Sequence, residues 1–346
     1  MYRPNSLWTW SFLVIVVVQA AIALAFEAFV FAKFQTSLID DDGESRAQPE
    51  SRAIPTYLTL FIFGFLYQIL LVYDALRLKN TIQVIGLCFF NLAMLIYAAV
   101  QMDQIKEAVT TLMHGPGGSF IEPDSDVWAA SQPFLVAVPC VIALGTVMMS
   151  VVAWKLYDEF AWTIYKHISA DLRMKRRYLT FQIYIALLKF DFFFFLAFTV
   201  QFVVMVVQTE DSEFGLTIAA IPVTILILLL AAFWTRKENT FGMIIIIILY
   251  FAALAYFLFK LIRMYEPGTR DIYAPASKSL TTFAVITVIL IVVTIVNACV
   301  CTHNFGRGLK PHVTRRKMES EEEKVTMTEM PDYKTGAPPA NRMTID

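Results

Sequence analysis

Charged residues are scarce in this sequence. Asp, Glu, Lys and Arg make up 16% of its 346 residues, whereas hydrophobic residues make up 58% and the mean hydropathy is +0.60. An ordinary soluble domain carries about 25% charged residues. A chain with so little charge cannot cover a water-facing surface. The composition therefore excludes a soluble enzyme and predicts an integral membrane protein whose first partner is the lipid bilayer.

Cysteine is also rare, and the motifs of catalysis and metal binding are missing. The four cysteines lie in or at the end of apolar runs, and the four histidines lie in four separate places. This distribution predicts neither a disulfide framework nor a metal site. No Gly-x-Ser-x-Gly, His-Glu-x-x-His or glycine-rich phosphate loop is present. The sequence therefore predicts no cofactor, no metal, no nucleic-acid partner and no catalytic residue.

Long apolar runs are what the sequence has in abundance. A membrane-spanning helix needs about 20 mostly apolar residues, and eight runs meet or nearly meet this length. They predict an all-α polytopic bundle, with a transmembrane domain over residues 1–301. Because residues 77–80 form so short a link, the second and third runs are either a tight helical hairpin or one bent element, which leaves seven or eight spans. The runs are 8–32, 57–76, 81–100, 133–154, 181–207, 215–235, 242–262 and 280–301.

The distribution of positive charge predicts the orientation. With a cytosolic amino terminus and eight spans, the cytosolic segments carry 19 Lys and Arg, and the opposite loops carry 7. Positive charge collects on the cytosolic side of membrane proteins. An odd number of crossings would spoil this alternation. Both termini are therefore predicted to be cytosolic, and two four-helix halves of equal orientation become conceivable.

The longest internal cytosolic segment covers residues 155–180. Apolar residues recur at every fourth position from Leu156 to Leu172, which places them on one helical stripe. The stripe predicts an amphipathic helix in the cytosolic interface, with its basic end near anionic lipid head groups. Alternatively, the basic residues only fix the topology. They are Arg173, Lys175, Arg176 and Arg177.

The carboxyl-terminal segment 302–346 is polar, contains prolines and has few large apolar residues, so it is predicted to be a disordered cytosolic tail. Ser320, followed by acidic residues, resembles a kinase site. Cys299 and Cys301 are candidates for palmitoylation at the membrane edge, although packing is the simpler explanation. Tyr157 begins a four-residue pattern of the type that vesicle coat adaptors bind, but its position beside the stripe favours a structural role.

Four ionisable residues fall within or at the ends of the apolar runs. Such residues are costly in a bilayer, so each is a functional-site hypothesis. Lys189 and Asp191 are two positions apart and should pair with different helices. They lie either deep in the bilayer or at the cytosolic interface with Lys189 snorkelling. Asp74 is expected to pair with Arg77 at the interface, and a Glu27–Lys189 pair is conceivable, although the depths estimated for the two residues differ. Uncharged amides add to this polar set: Gln19, Gln68, Asn91, Gln101, Gln182, Gln201 and Asn297.

Three stretches carry a resemblance to a known family. They are residues 57–68 (YLTLFIFGFLYQ), residues 72–85 (VYDALRLKNTIQVI) and residues 171–178 (DLRMKRRY), which run towards Lys-Phe-Asp at 189–191. Together they resemble the uncharacterised fungal family of Golgi-apparatus multi-pass membrane proteins, over most of residues 1–300. The resemblance implies a Golgi membrane location. It implies no activity and supplies no functional residue.

Two hypotheses of function follow. The first is a membrane scaffold or a cargo and sorting partner, acting through the basic segment and the acidic tail on coat proteins or other membrane proteins. The second is a transporter or channel for an ion or small solute, acting through Glu27, Lys189 and Asp191. An intramembrane enzyme ranks third because no catalytic motif supports it.

Overall fold

The structure is a computed structural model that describes residues 6–37, 49–114, 127–167, 172–205, 212–267 and 276–306. These residues form eight helices and no strand. All eight helices are long and apolar enough to cross a membrane, which confirms the predicted all-α polytopic fold with eight spans. The helices are α1 (Leu7–Ser37), α2 (Pro49–Arg77), α3 (Thr81–His114), α4 (Val127–His167), α5 (Leu172–Met205), α6 (Ser212–Lys237), α7 (Thr240–Arg263) and α8 (Ser277–His303).

The segment 155–180 differs from its prediction. Within the described residues, its first part is the end of α4, up to His167, and its basic residues begin α5, so no separate interfacial helix forms among them. Leu156 and Phe160 are fully buried within the protein rather than facing lipid. The prediction was wrong because the spacing of apolar residues is the same whether a helix packs its apolar face on lipid or on another helix.

The α2–α3 connection is a tight hairpin, which settles the choice between a hairpin and a bent element. Lys79 has a φ of 47°, and the amide of Asn80 donates back to the carbonyl of Ala75, as in a Schellman ending. The Asn80 side chain then accepts from the amide of Ile82 and caps α3. One residue in the left-handed region and one asparagine therefore end one helix and start the next.

The α6–α7 connection repeats this design. Glu238 has a φ of 54°, and the amide of Asn239 donates to the carbonyl of Trp234. The Asn239 side chain accepts from the amides of Phe241 and Gly242. We call the end of the molecule that carries these two turns the hairpin end. The start of α1 and the end of α8 also lie there, because Ser6 bonds Glu159 of α4 and the amide of Gly306 donates to Glu238.

The eight helices pack as two four-helix halves. In the first half, α1 packs on α2 and α4, and α3 packs on the same two helices; α5 to α8 repeat this order in the second half. The halves meet where α2 and α3 contact α5, and where α3 contacts α8. We call this boundary the seam. In the first half, the counterparts of α5 and α8 are α1 and α4, whereas the seam is formed by α2 and α3. The two halves therefore meet through different faces, in a head-to-tail arrangement.

Aromatic rings fill the seam between α2, α3 and α5. Phe193 of α5 lies 5.3 Å from Phe63, 5.8 Å from Tyr67 and 4.7 Å from Phe90, measured between ring centroids. Such aromatic pairs contribute about 0.5–1.5 kcal/mol each beyond the area they bury. The rings fix the position of α5 against α2 and α3, and so hold the polar side chains described next.

Candidate functional site

A lysine–carboxylate pair crosses the seam near the α2–α3 turn. The Lys189 ammonium of α5 lies 2.5 Å from Asp74 Oδ2 of α2 and 2.9 Å from Gln83 Oε1 of α3. The Gln83 amide nitrogen in turn donates to Asp74 Oδ2 at 3.1 Å. The side chains of Lys189 and Asp74 are 26% and 34% exposed. We call Lys189, Asp74 and Gln83 the seam cluster, because it ties one helix of the second half to two of the first.

Tyr67 and the backbone of α2 support the seam cluster. The Tyr67 hydroxyl donates to the carbonyl oxygen of Lys189 at 2.7 Å. The amide nitrogen of Gln83, which is fully buried, also donates to the carbonyl oxygen of Leu71 at 2.9 Å. Sequence reasoning missed both Tyr67 and Gln83, since an amide or phenol in an apolar run carries no signal of its partner.

The seam cluster lies far along α5 but close to the end of α2. Lys189 follows the start of α5 by 17 residues, or about 25 Å of helix, whereas Asp74 precedes the end of α2 by 3 residues, or about 5 Å. The first turns of α5 therefore extend up to about 20 Å beyond the α2–α3 turn. Arg173, Lys175 and Arg176 lie exposed on this extension, and Arg177 is half-buried.

Asp191 faces the second half, in contrast to Lys189. Its Oδ2 accepts a hydrogen bond of 2.8 Å from the Thr294 hydroxyl of α8. The side chain is 1% exposed, and its Oδ1 has no hydrogen-bond partner among the described residues. The expectation that Lys189 and Asp191 pair with different helices is thus met.

Neither the pairing expected from the sequence, Asp74 with Arg77, nor the conceivable one, Glu27 with Lys189, forms. Asp74 is bonded to Lys189 rather than to Arg77. Glu27 is buried in the first half, where its Oε2 accepts from the amide nitrogen of Gln101 of α3 at 3.0 Å. Glu27 lies 20 residues after the start of α1, about 30 Å from the hairpin end, whereas the Lys189 ammonium lies close to the α2–α3 turn. The two groups are therefore too far apart along the bundle to meet.

An amide network lies in the centre of the first half. The Asn91 side chain of α3 bonds Gln19 of α1, Gln68 of α2 and Thr146 of α4 at 2.7–3.2 Å. Gly145 makes the approach of Gln19 possible, because a Cβ at that position would collide with the Gln19 amide oxygen. One asparagine therefore connects all four helices of this half. The sequence named three of these amides but not their meeting point.

The remaining candidate residues do not join the seam cluster. Cys301 is buried, which leaves its thiol inaccessible to acylation, whereas Cys299 is exposed. Ser320 lies outside the described residues. Within the described part of the chain, no group of three or more His, Cys, Asp or Glu residues is placed to hold a metal ion.

Eight apolar helices with polar contacts between them define the class of protein: a polytopic α-helical membrane protein. Over 318 residues, the chain is 35% identical to a UPF0658 Golgi apparatus membrane protein of Schizosaccharomyces pombe (strain 972), covering 87% of this chain and 88% of the relative. The chain belongs to the family of UPF0658 Golgi apparatus membrane proteins. No protein-family model and no solved structure matches it.

The seam pair should couple more strongly than a surface pair. In a double-mutant cycle of Asp74→Asn and Lys189→Gln, we expect a coupling of about 1–2 kcal/mol in the free energy of unfolding, between the values of exposed and buried pairs. Unfolding of the purified protein in detergent, followed by tryptophan fluorescence, measures it.

The control is the Glu107–Lys278 pair at the opposite end of the bundle. Its nitrogen and oxygen are 3.0 Å apart, but its side chains are 67% and 53% exposed. We expect a coupling below about 0.5 kcal/mol there. Equal coupling at both pairs would contradict a structural role of the seam cluster.

Proposed function

We propose that this chain is an integral protein of the Golgi membrane, with the hairpin end and both termini in the cytosol. The location is supported by the name of its S. pombe relative. The orientation is supported by the excess of Lys and Arg in the segments assigned to the cytosolic side, 19 against 7. The exposed Arg173, Lys175 and Arg176 belong to this positive end.

Thiol labelling in sealed Golgi vesicles tests this orientation. On a background without the four native cysteines, single cysteines at residues 170 and 325 should react with a membrane-impermeant maleimide added outside. Cysteines at residues 45 and 270 should react only after the membrane is opened with detergent. The reverse pattern would place the hairpin end in the lumen and overturn the proposal.

For molecular activity, we propose transport of an ion or small solute, centred on the seam. The observation that carries this proposal is the seam cluster, a lysine, a carboxylate and an amide at the boundary of two like-packed halves. Ionisable residues inside membrane proteins mark ion and substrate pathways. The head-to-tail contact leaves each half a self-contained bundle, so the halves can shift as units when the cluster opens.

Two buried carboxyl side chains support transport further. Glu27 and Asp191 accept hydrogen bonds from Gln101 and Thr294, which are uncharged donors. Purely structural helix contacts are made at lower cost by small residues and hydroxyls. A buried carboxyl group in each half therefore favours a role that needs a charge or a proton.

The test is flux through purified protein reconstituted in liposomes on a solid-supported membrane. Currents are recorded while protons, Na⁺, K⁺, Ca²⁺, phosphate and neutral amino acids are applied in turn. For any solute that gives a current, Asp74→Asn and Lys189→Gln should each change it by roughly tenfold, which corresponds to about 1.4 kcal/mol.

Glu107→Gln is the matched control, since it removes a carboxylate from an exposed pair and should leave the current unchanged. A seam variant that behaves like this control would show that the cluster is not on the pathway. Absence of current for every solute applied, together with intact folding, would count against transport.

A scaffold or sorting role is the second candidate, favoured by one observation. Arg173, Lys175 and Arg176 are exposed on the part of α5 that extends beyond the α2–α3 turn. A group of exposed cations can meet anionic lipid head groups or an acidic coat protein.

Changing all three residues to Gln should lower recovery of cytosolic partners or displace the protein from the Golgi. Since each basic residue contributes about 1 kcal/mol of binding, loss of all three should weaken binding by roughly 100-fold. The control triple is Lys155→Gln, Arg236→Gln and Lys237→Gln, which removes three other exposed cations at the hairpin end. Deletion of residues 302–346 tests the tail separately. Unchanged location and recovery in both variants would contradict this role.

A further inference from the structure

Asp191 combines full burial with an unused carboxylate oxygen. The side chain is 1% exposed. Its Oδ2 accepts from Thr294, and its Oδ1 meets no donor among the described residues. An ionised carboxylate needs several donors or a cation to offset the loss of water. Asp191 has one neutral donor.

No cation faces Asp191 from the helices that pack on α5. Lys189, two residues away, is bonded to Asp74 and Gln83 of the first half. The phenols of Tyr67 from α2, Tyr250 from α7 and Tyr184 from α5 itself lie within electrostatic range of Asp191, but all are neutral at ordinary pH.

The other three helices that pack on α5 add nothing positive at this depth. On α3, Cys88 is the one titratable residue between positions 84 and 96, and it faces Ser150 of α4. The span 218–234 of α6 contains no titratable residue, and neither does the span 285–298 of α8. The surroundings of Asp191 are therefore uncharged.

We propose that Asp191 is a proton-binding site and that the folded protein holds its carboxyl group in the neutral form. The proton resides on Oδ1, while Oδ2 remains the acceptor for the Thr294 hydroxyl. One proton removes the buried charge, and a neutral carboxylic acid needs fewer partners than a carboxylate. The site lies next in sequence to the seam cluster, on the same helix but turned towards the other half.

Asp74 provides the internal comparison. It is a carboxylate of similar size near the same level of the seam, but it has an ammonium at 2.5 Å and an amide donor at 3.1 Å. The two carboxyl groups therefore differ in their surroundings: Asp74 meets a cation and an amide donor, whereas Asp191 meets one neutral hydroxyl. This inference does not depend on the proposed transport activity: a protein that transports none of the solutes tested could still hold Asp191 in the protonated form.

Infrared spectroscopy of the purified protein tests the proposal. A protonated carboxyl group has a carbonyl stretching band that is separate from the carboxylate bands and moves to lower frequency in D₂O. At neutral pH, Asp191→Asn should remove one such band, because the amide has no carboxyl group. The variant should still fold, since the amide keeps the shape of the side chain and the bond to Thr294. Asp74→Asn should leave the band in place, and Glu27→Gln separates any contribution of the other buried carboxyl group.

Three results would overturn the proposal. A spectrum that Asp191→Asn leaves unchanged in this region would mean that Asp191 is ionised. Loss of the band when NaCl or KCl is raised at constant pH would mean that the site binds a metal cation instead. If Asp191→Asn does not fold, Thr294→Val replaces it: loss of the hydroxyl donor should shift the band of Asp191, and an unshifted band would contradict the assignment.

Discussion

The structure depends on where one helix, α5, places its two ionisable residues. Helix α5 carries Lys189 and Asp191 within an apolar run, and their spacing of two residues turns them to different sides. Lys189 reaches Asp74 and Gln83 of the first half, while Asp191 receives the Thr294 hydroxyl of the second. A charge left without a partner in hydrocarbon costs several kcal/mol. These contacts therefore fix both the rotation of α5 and the place where the halves join.

Polar side chains do the same for the other helices. In a membrane, apolar faces have no preference for each other over lipid tails, so packing and interhelical hydrogen bonds determine which helices associate. Asn91 joins the four helices of the first half, and Gln101 of α3 meets Glu27 of α1. At the far end of the second half, Gln201 of α5 donates to Ser279 of α8. Each contact fixes the vertical register of helices that could otherwise slide.

The two halves share a packing order and a turn design, but the helices that join them are not equivalent. The contact of α2 and α3 with α5 and α8 gives the seam two different sides, one supplying Asp74 and Gln83 and the other Lys189. A symmetric contact would have brought equivalent residues together instead. The seam cluster lies near the hairpin end, where α5 also extends its basic start. The proposed transport pathway and the proposed basic contact surface therefore lie on the same helix.

The sequence by itself determined the class of fold, because span number depends on the length of apolar runs and on turn residues such as Asn80, both of which are local. It also named the ionisable residues, since their cost in a bilayer does not depend on the fold. The tertiary structure alone decided their partners. Lys189 and Asp74 are 115 positions apart in the chain, and Asp191 and Thr294 are 103 apart. Only the tertiary structure could show that the stripe at Leu156 and Phe160 packs inside the protein. The sequence pattern of an apolar face is the same whether lipid or another helix covers it.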